Sequence, residues 1–90
     1  METLNIKVTG RVQGVYFRAH TQKTAKRIGA TGSVRNKSDG SVEILAQGKK
    51  AALDKLVQWC HQGSPASKVE DVIVNNFDTD EIFEDFVVRY

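Results

Sequence analysis

A glycine-containing loop followed by an arginine is the part of this sequence best suited to chemistry. Gly14 lies after an expected strand, and Arg18 lies in the first turn of an expected helix. Backbone N–H groups at a helix N-terminus have no carbonyl partner inside the helix, and the helix dipole adds partial positive charge there. Glycine lets several amides converge on one anion, and a guanidinium can clamp two phosphate oxygens. The residues predicted to bind an anion, specifically a phosphate, are Gln13, Gly14, Val15, Tyr16, Phe17 and Arg18.

The same loop also fits a plain strand-to-helix turn with a surface arginine. A Gly-x-x-x-Arg spacing is short, and on that spacing alone the plain turn is the favoured interpretation. The anion-binding hypothesis therefore depends on whether a second group of residues elsewhere in the chain supports it.

The second group is the segment 32–43, which contains Asn36. Because side chains alternate along a strand, Asn36 falls on the same side as Val34, which is the buried side. A buried carboxamide must find hydrogen-bond partners or cost about 1 to 3 kcal/mol. Either Asn36 binds a ligand, or it is a structural residue that caps the hairpin, and its own position does not separate these two possibilities.

Taken together, the segments 10–18 and 32–42 resemble the acylphosphatase family. The two signatures of that family run Gly-x-Val-Gln-Gly-Val-x-Phe-Arg and Gly-aromatic-Val-x-Asn-x-x-x-Gly-x-Val. The first is matched at every specified position, and the second is matched except at Ser33, where the family usually has an aromatic residue. Gly48 lies where a following glycine is expected. The resemblance covers the whole chain in length and element order.

The resemblance implies an enzyme that hydrolyses the carboxyl-phosphate bond of acyl phosphates to carboxylate and inorganic phosphate, without a metal or other cofactor. It implies that Arg18 binds the phosphate and that Asn36 orients the attacking water. It also implies that the water proton passes to the substrate's own phosphate. Ser33 is expected to point away from the Asn36 side of the strand, so the departure there affects packing at the rim more than chemistry.

The residue types agree with this reaction. The leaving carboxylate has a conjugate acid with a pKa of about 4 to 5, by analogy with Asp and Glu, so it departs unprotonated at neutral pH. The sequence offers no obvious catalytic acid, and none is required. Phosphoryl transfer needs positioning and charge stabilisation, which amides and one guanidinium can supply.

The elements that position these residues follow from the hydrophobic pattern. Alternation predicts strands at 4–12, 32–36, 41–47, 69–77 and 86–90, and spacings of three and four predict one helix ending near Ile28 and another at 50–61. The order predicts an α+β, ferredoxin-like βαββαβ sandwich, with an antiparallel sheet of four to five strands and two helices on one face. A chain of 90 residues is expected to form one domain, residues 1–90.

Composition limits the cellular location and the binding partners that can be expected. The chain has 13 basic and 11 acidic residues, so its net charge of +2 does not favour nucleic acid, although basic residues concentrate in the first 40 positions. One cysteine and no apolar leader predict a cytoplasmic protein, and no apolar run is long enough to span a membrane. The two histidines and Cys60 do not have zinc-site spacing. We expect a monomer that is inhibited by inorganic phosphate or sulfate.

Two other classes of function share this topology. An RNA recognition motif would need stacking aromatics on the first and third strands, and the segments 4–12 and 41–47 contain none. A module that binds acyl or carbamoyl phosphate without turnover, like the related domain of hydrogenase-maturation carbamoyltransferases, would keep the loop and lose catalysis. The enzyme is the expected function, because no attached domain is present for such a module to serve.

Overall fold

The computed structural model describes residues 1–90 and contains the predicted elements in the predicted order. They are β1 Glu2–Arg11, α1 Phe17–Ile28, β2 Thr31–Asn36, β3 Val42–Gly48, α2 Lys50–Gln62, β4 Lys68–Asn76 and β5 Phe86–Arg89. Gly29 ends α1 in the left-handed conformation, with φ 84°, as its position after the last apolar residue predicts. No helix is long and apolar enough to cross a membrane.

The five strands form one sheet in the order β4-β1-β3-β2-β5. The pairs β1–β3, β1–β4 and β2–β3 are antiparallel, which confirms the ferredoxin-like arrangement. The expectation of a wholly antiparallel sheet is wrong for the last strand, because β5 pairs parallel to β2. The reason is that β4 and β5 lie at opposite edges, so the chain between them crosses the end of the sheet before it pairs.

Gln47 holds this crossing segment in place. Its side chain is buried, and its Nε2 donates to the Glu81 carbonyl at 2.8 Å while its Oε1 accepts from the Phe83 amide at 2.9 Å. The Gly32 amide then donates to the Asp85 carbonyl at 2.9 Å, immediately before β5 begins. These contacts place β5 next to β2, beside the N-terminal half of α1.

Both helices cover one face of the sheet and enclose a single apolar core. Phe17, the first residue of α1, is 1% exposed, and its ring lies 5.2 Å from the ring of Trp59 on α2. Full burial of a side chain of this size stabilises the fold by roughly 1.5 to 3 kcal/mol. Phe17 therefore fixes the start of α1, and with it the loop between β1 and α1.

Candidate active site

The loop between β1 and α1 has a backbone conformation that few residues adopt. Gly14 has a φ of 75°, and Tyr16 has φ 59° and ψ 23°. Tyr16 is the only residue other than glycine with a positive φ. A bulky residue in the left-handed region costs about 1 to 3 kcal/mol, and such strain concentrates at functional sites. Left-handed residues in alternation turn successive N–H groups towards a common point, which is the backbone arrangement of an anion-binding nest.

The backbone N–H groups from Gln13 to Ala19 donate to no acceptor in the protein. The next one along, that of His20, donates to the Tyr16 carbonyl at 3.1 Å. The N-cap residue makes no side-chain capping bond, and the first turn of α1 contains no acidic residue. No protein group therefore compensates the positive end of this helix, and the loop is suited to a dianion.

Arg18 projects from the first turn of α1 towards the C-terminal strand. Its guanidinium donates to the Arg89 carbonyl at 3.0 Å and lies 4.7 Å from the centre of the Tyr90 ring. No carboxylate pairs with it. One of its five N–H donors is used for positioning, so the remaining donors and the full charge are available to an anion.

Asn36 ends β2 on the side predicted from Val34, which is fully buried. Its carboxamide makes no hydrogen bond in the protein, and its Oδ1 is the one buried side-chain oxygen or nitrogen without a partner. A hairpin cap would bond neighbouring backbone groups, so the structure does not support the capping alternative. An unpaired buried carbonyl costs about 1 to 3 kcal/mol, and a bound water would relieve part of that cost while losing its own freedom of movement.

Gly14, Arg18 and Asn36 come together around one cleft of about 800 Å³. The floor and walls are otherwise mostly apolar, and Arg18 is the only Asp, Glu, Lys, Arg or His side chain among them. The lining residues are Val12, Gly14, Tyr16, Phe17, Arg18, Ala19, Gln22, Asn36, Val87, Val88 and Tyr90. The cleft therefore combines a nest of amides, one cation and one unpaired carboxamide.

Two of the predicted loop residues, Gln13 and Val15, do not line the cleft. The Gln13 Nε2 instead donates to the carbonyls of Lys37 and Ser41, at 2.7 and 2.8 Å, on the two sides of the β2–β3 hairpin. The Val15 side chain is buried in the core, and its carbonyl accepts from the Ser64 hydroxyl at 2.9 Å. These two residues can serve an anion only through their amides, and their side chains fix the loop from behind.

We expect the substitution Gln13→Ala to lower the melting temperature by about 4 to 24 °C. It removes two hydrogen bonds between the loop and the hairpin that carries Asn36, each worth roughly 0.5 to 1.5 kcal/mol, and 1 kcal/mol corresponds to about 4 to 8 °C in a domain of this size. Thermal unfolding followed by circular dichroism measures the change. The control is Gln58→Ala on the exposed side of α2, which should unfold like the parent. Equal melting temperatures for all three proteins would contradict the bracing role.

The hairpin beside Asn36 is closed by a turn that contains Asp39 and Gly40. Gly40 has a positive φ of 92°, whereas Asp39 does not, so the turn has one left-handed residue. Hydrogen bonds from the Ser41 side chain and backbone, together with Lys7, hold the pKa of Asp39 well below its usual range. Because the pKa is depressed in the folded state, this carboxylate stabilises the hairpin above its ordinary pKa, and the contribution is lost on acidification.

The sequence patterns missed the cleft residues contributed by the C-terminal strand and the middle of α1. Val88 and Tyr90 reach the cleft because β5 pairs parallel to β2, and Gln22 lies one turn beyond Arg18, where its Nε2 donates to the Phe86 carbonyl at 2.9 Å. The i, i+4 spacing of Arg18 and Gln22 places both side chains on one side of α1. This spacing is the only sequence signal that points to the contacts of these two residues with the C-terminal strand.

Comparison with known sequences gives one consistent family. The family model described as Acylphosphatase matches residues 4–88. An acylphosphatase of Shewanella amazonensis is 48% identical over 88 residues, which cover 98% of this chain and 97% of that protein. An acylphosphatase of Pelotomaculum thermopropionicum is 42% identical, over 96% of this chain and 94% of that protein.

Comparison with solved structures gives the same fold. The crystal structure of acylphosphatase from Bacillus subtilis superposes with a TM-score of 0.96 at 42% identity, and the alignment covers 100% of both chains. Full-length HypF, crystallised in a phosphate- and nucleotide-bound form, aligns with a TM-score of 0.90 at 23% identity. That alignment covers 99% of this chain but 12% of HypF, and at this identity it shows the fold alone.

Proposed function

The chain belongs to the acylphosphatase family, and from this premise we propose that the cleft between β1, α1 and β2 is where it hydrolyses acyl phosphates. The protein is a hydrolase that acts on acyl phosphates. The observation that carries the site assignment is the unbroken run of backbone N–H groups without acceptors from Gln13 to Ala19, with Arg18 beside them.

The phosphoryl group binds in the nest of loop amides. Gly14 and Tyr16 set the curvature of the backbone, and the unopposed helix N-terminus supplies partial positive charge. Arg18 stabilises the equatorial oxygens, whose charge must be held as the bond to the leaving group breaks. Gln22 and the Arg89 carbonyl position the α1–β5 boundary, so the guanidinium does not have to be ordered during the reaction.

Asn36 holds the attacking water. Its buried Oδ1 has no partner in the protein and can accept a hydrogen bond from a water, which fixes the direction of the oxygen lone pair that attacks phosphorus. The carboxamide nitrogen is free to support a phosphate oxygen or the same water. The role is orientation, because a carboxamide cannot take a proton from water.

The proton balance requires no general acid or base from the protein. The water oxygen forms a bond to phosphorus, the bond between phosphorus and the bridging oxygen breaks, and the electron pair leaves with the carboxylate. The water proton passes to a phosphate oxygen, so the products are a carboxylate and inorganic phosphate. Among the cleft residues there is no Asp, Glu or His that could relay it.

We expect phosphate release from benzoyl phosphate to continue at full rate in the presence of a chelator, because the amides and Arg18 supply the charge that a metal would otherwise provide. Phenyl phosphate is the control substrate. Its leaving group has a pKa near 10, by analogy with tyrosine, so it needs a proton that the cleft does not provide and should not be turned over. Loss of activity on chelation, with recovery on addition of Mg²⁺, would contradict the proposal, as would equal rates for the two substrates.

Inorganic phosphate is expected to inhibit competitively, because it occupies the nest without reacting. It should raise KM in proportion to its concentration and leave kcat unchanged. Phosphate that binds the protein while no acyl phosphate is hydrolysed would instead favour a binding module without turnover. An RNA affinity greater than that for phosphate would favour the RNA-binding alternative, although β1 and β3 contain no aromatic side chain. We propose no nucleic-acid partner, a monomeric state and a cytoplasmic location.

A further inference from the structure

The cleft continues past the phosphate-binding loop along the boundary between α1 and β5. Three side chains there have no part in phosphate binding or water orientation, and we call them the acyl wall: Ala19, Val88 and Tyr90. Ala19 lies on the exposed side of α1. Val88 is on the same side of β5 as the buried Phe86, and it packs half-buried against the core. The Tyr90 ring is fully exposed and lies beside Arg18.

The covalent structure of the substrate places its acyl group in this cleft. The carbonyl carbon is joined to phosphorus through a single oxygen, so an acyl group cannot lie far from a phosphoryl group held by Gly14 and Arg18. The acyl wall lines the same continuous cleft as these two residues. An apolar acyl group that lies on the wall leaves water. Of the other apolar lining residues, Val12 and Phe17 are 1% exposed, so only Tyr16 and Val87 add accessible apolar surface.

Charge on the lining residues restricts the acyl group further. Arg18 is the only lining residue with a charged side chain at neutral pH, and the phosphoryl group already uses it. An acyl group with its own carboxylate would find no second cation and would lie against apolar side chains, which is unfavourable. We propose that the acyl wall is a subsite that selects acyl phosphates with uncharged, apolar acyl groups. This inference rests on the proposed function.

A series of acyl phosphates tests the wall. Each methylene that is fully buried contributes about 0.8 kcal/mol, which is roughly a fourfold change in affinity, and the open cleft should give about half of that free energy. From acetyl to propionyl to butyryl phosphate, KM is therefore expected to fall by about twofold per methylene. The value of kcat should stay constant, because the acyl chain makes the same contacts before and during the reaction.

A pair of aromatic substrates and one variant test the charge argument. The substrate 4-carboxybenzoyl phosphate should have a KM at least about tenfold above that of 4-methylbenzoyl phosphate, since its carboxylate lies against the wall. Ala19→Lys places a cation at an exposed position of the wall, and it should reduce this ratio about tenfold. Gln58→Lys adds the same charge on the exposed side of α2, outside the cleft, and should leave the ratio unchanged.

The outcomes separate the subsite from the reaction itself. Hydrolysis of acetyl phosphate with a KM that does not depend on chain length would overturn the acyl wall and leave the proposed function intact. The same conclusion would follow if Ala19→Lys and Gln58→Lys changed the ratio of KM values equally. If none of the acyl phosphates released phosphate, the proposed function itself would fail.

Discussion

Arg18→Ala is expected to lower kcat/KM for benzoyl phosphate by about a thousandfold or more, with the fold retained. An arginine that stabilises transferring phosphoryl oxygens typically contributes a factor of about 10³ to 10⁵, and this one is the only cation in the cleft. Its guanidinium is half-exposed and makes a single hydrogen bond, to the Arg89 carbonyl, so its removal costs the fold little. Steady-state kinetics and circular dichroism measure the two properties.

Two further variants identify which property of Arg18 matters. Arg18→Lys keeps the positive charge but loses the planar fork that binds two oxygens, so its activity should lie between those of the parent and Arg18→Ala. Lys23→Ala removes a cation from an exposed position of α1 outside the cleft and should behave like the parent. Arg18→Ala with full activity would exclude Arg18 from the site, and an equal loss in Lys23→Ala would point to a general effect of charge.

The parts of the fold that local patterns control could be predicted from the sequence. Alternation over the first strand predicted β1, and apolar spacings of three and four predicted a helix ending near Ile28, which is α1. The partner of β5 could not be predicted, because that strand has four residues and its position depends on a distant contact. The contact is made by Gln47. No pattern in the sequence marks this polar residue for a special role, yet it is 3% exposed.

The candidate site divides in the same way between local and distant determinants. The glycine of the loop and the side of the strand occupied by Asn36 follow from local backbone rules, and the structure has both as expected. The left-handed Tyr16 has no sequence signal, since residues of its type rarely adopt that conformation. The contacts of Arg18 with Arg89 and Tyr90 join residues from opposite ends of the chain, and only the tertiary structure reveals them.

Ser33 illustrates how a departure from the family signature can be understood once the sheet register is known. It pairs with Leu45 on one side and Val87 on the other, and it is absent from the cleft lining. An aromatic residue here would pack across these two neighbours on the side of the sheet opposite Val34 and would contribute about 0.2 to 1 kcal/mol per pair to stability. The serine therefore removes packing on the side of the sheet opposite Val34 and touches no residue that we assign to the reaction.

Asn36→Ala is expected to lower kcat by about a hundredfold or more and, at the same time, to raise the melting temperature. The loss of activity follows because water would no longer be held in line with the leaving group, and a displacement of about 1 Å can cost a factor of 10². The gain in stability follows because the buried Oδ1 has no partner in the protein and a bound water relieves its desolvation only in part, so the alanine variant is freed of the remainder of a cost of about 1 to 3 kcal/mol. Allowing for lost packing, the rise should be a few degrees.

A lower kcat together with a higher melting temperature would distinguish a functional Asn36 from a structural one. Truncation of a side chain that serves packing or capping would destabilise the protein. Truncation of a side chain that serves a bound water would instead remove an unfavourable desolvation that only catalysis explains. Asn36→Asp is the matched variant: it keeps an acceptor of the same size but adds negative charge beside the phosphate nest, so KM should rise. An alanine variant that melts at a lower temperature and turns over at the parental rate would show that Asn36 supports the hairpin and that water is oriented by another group.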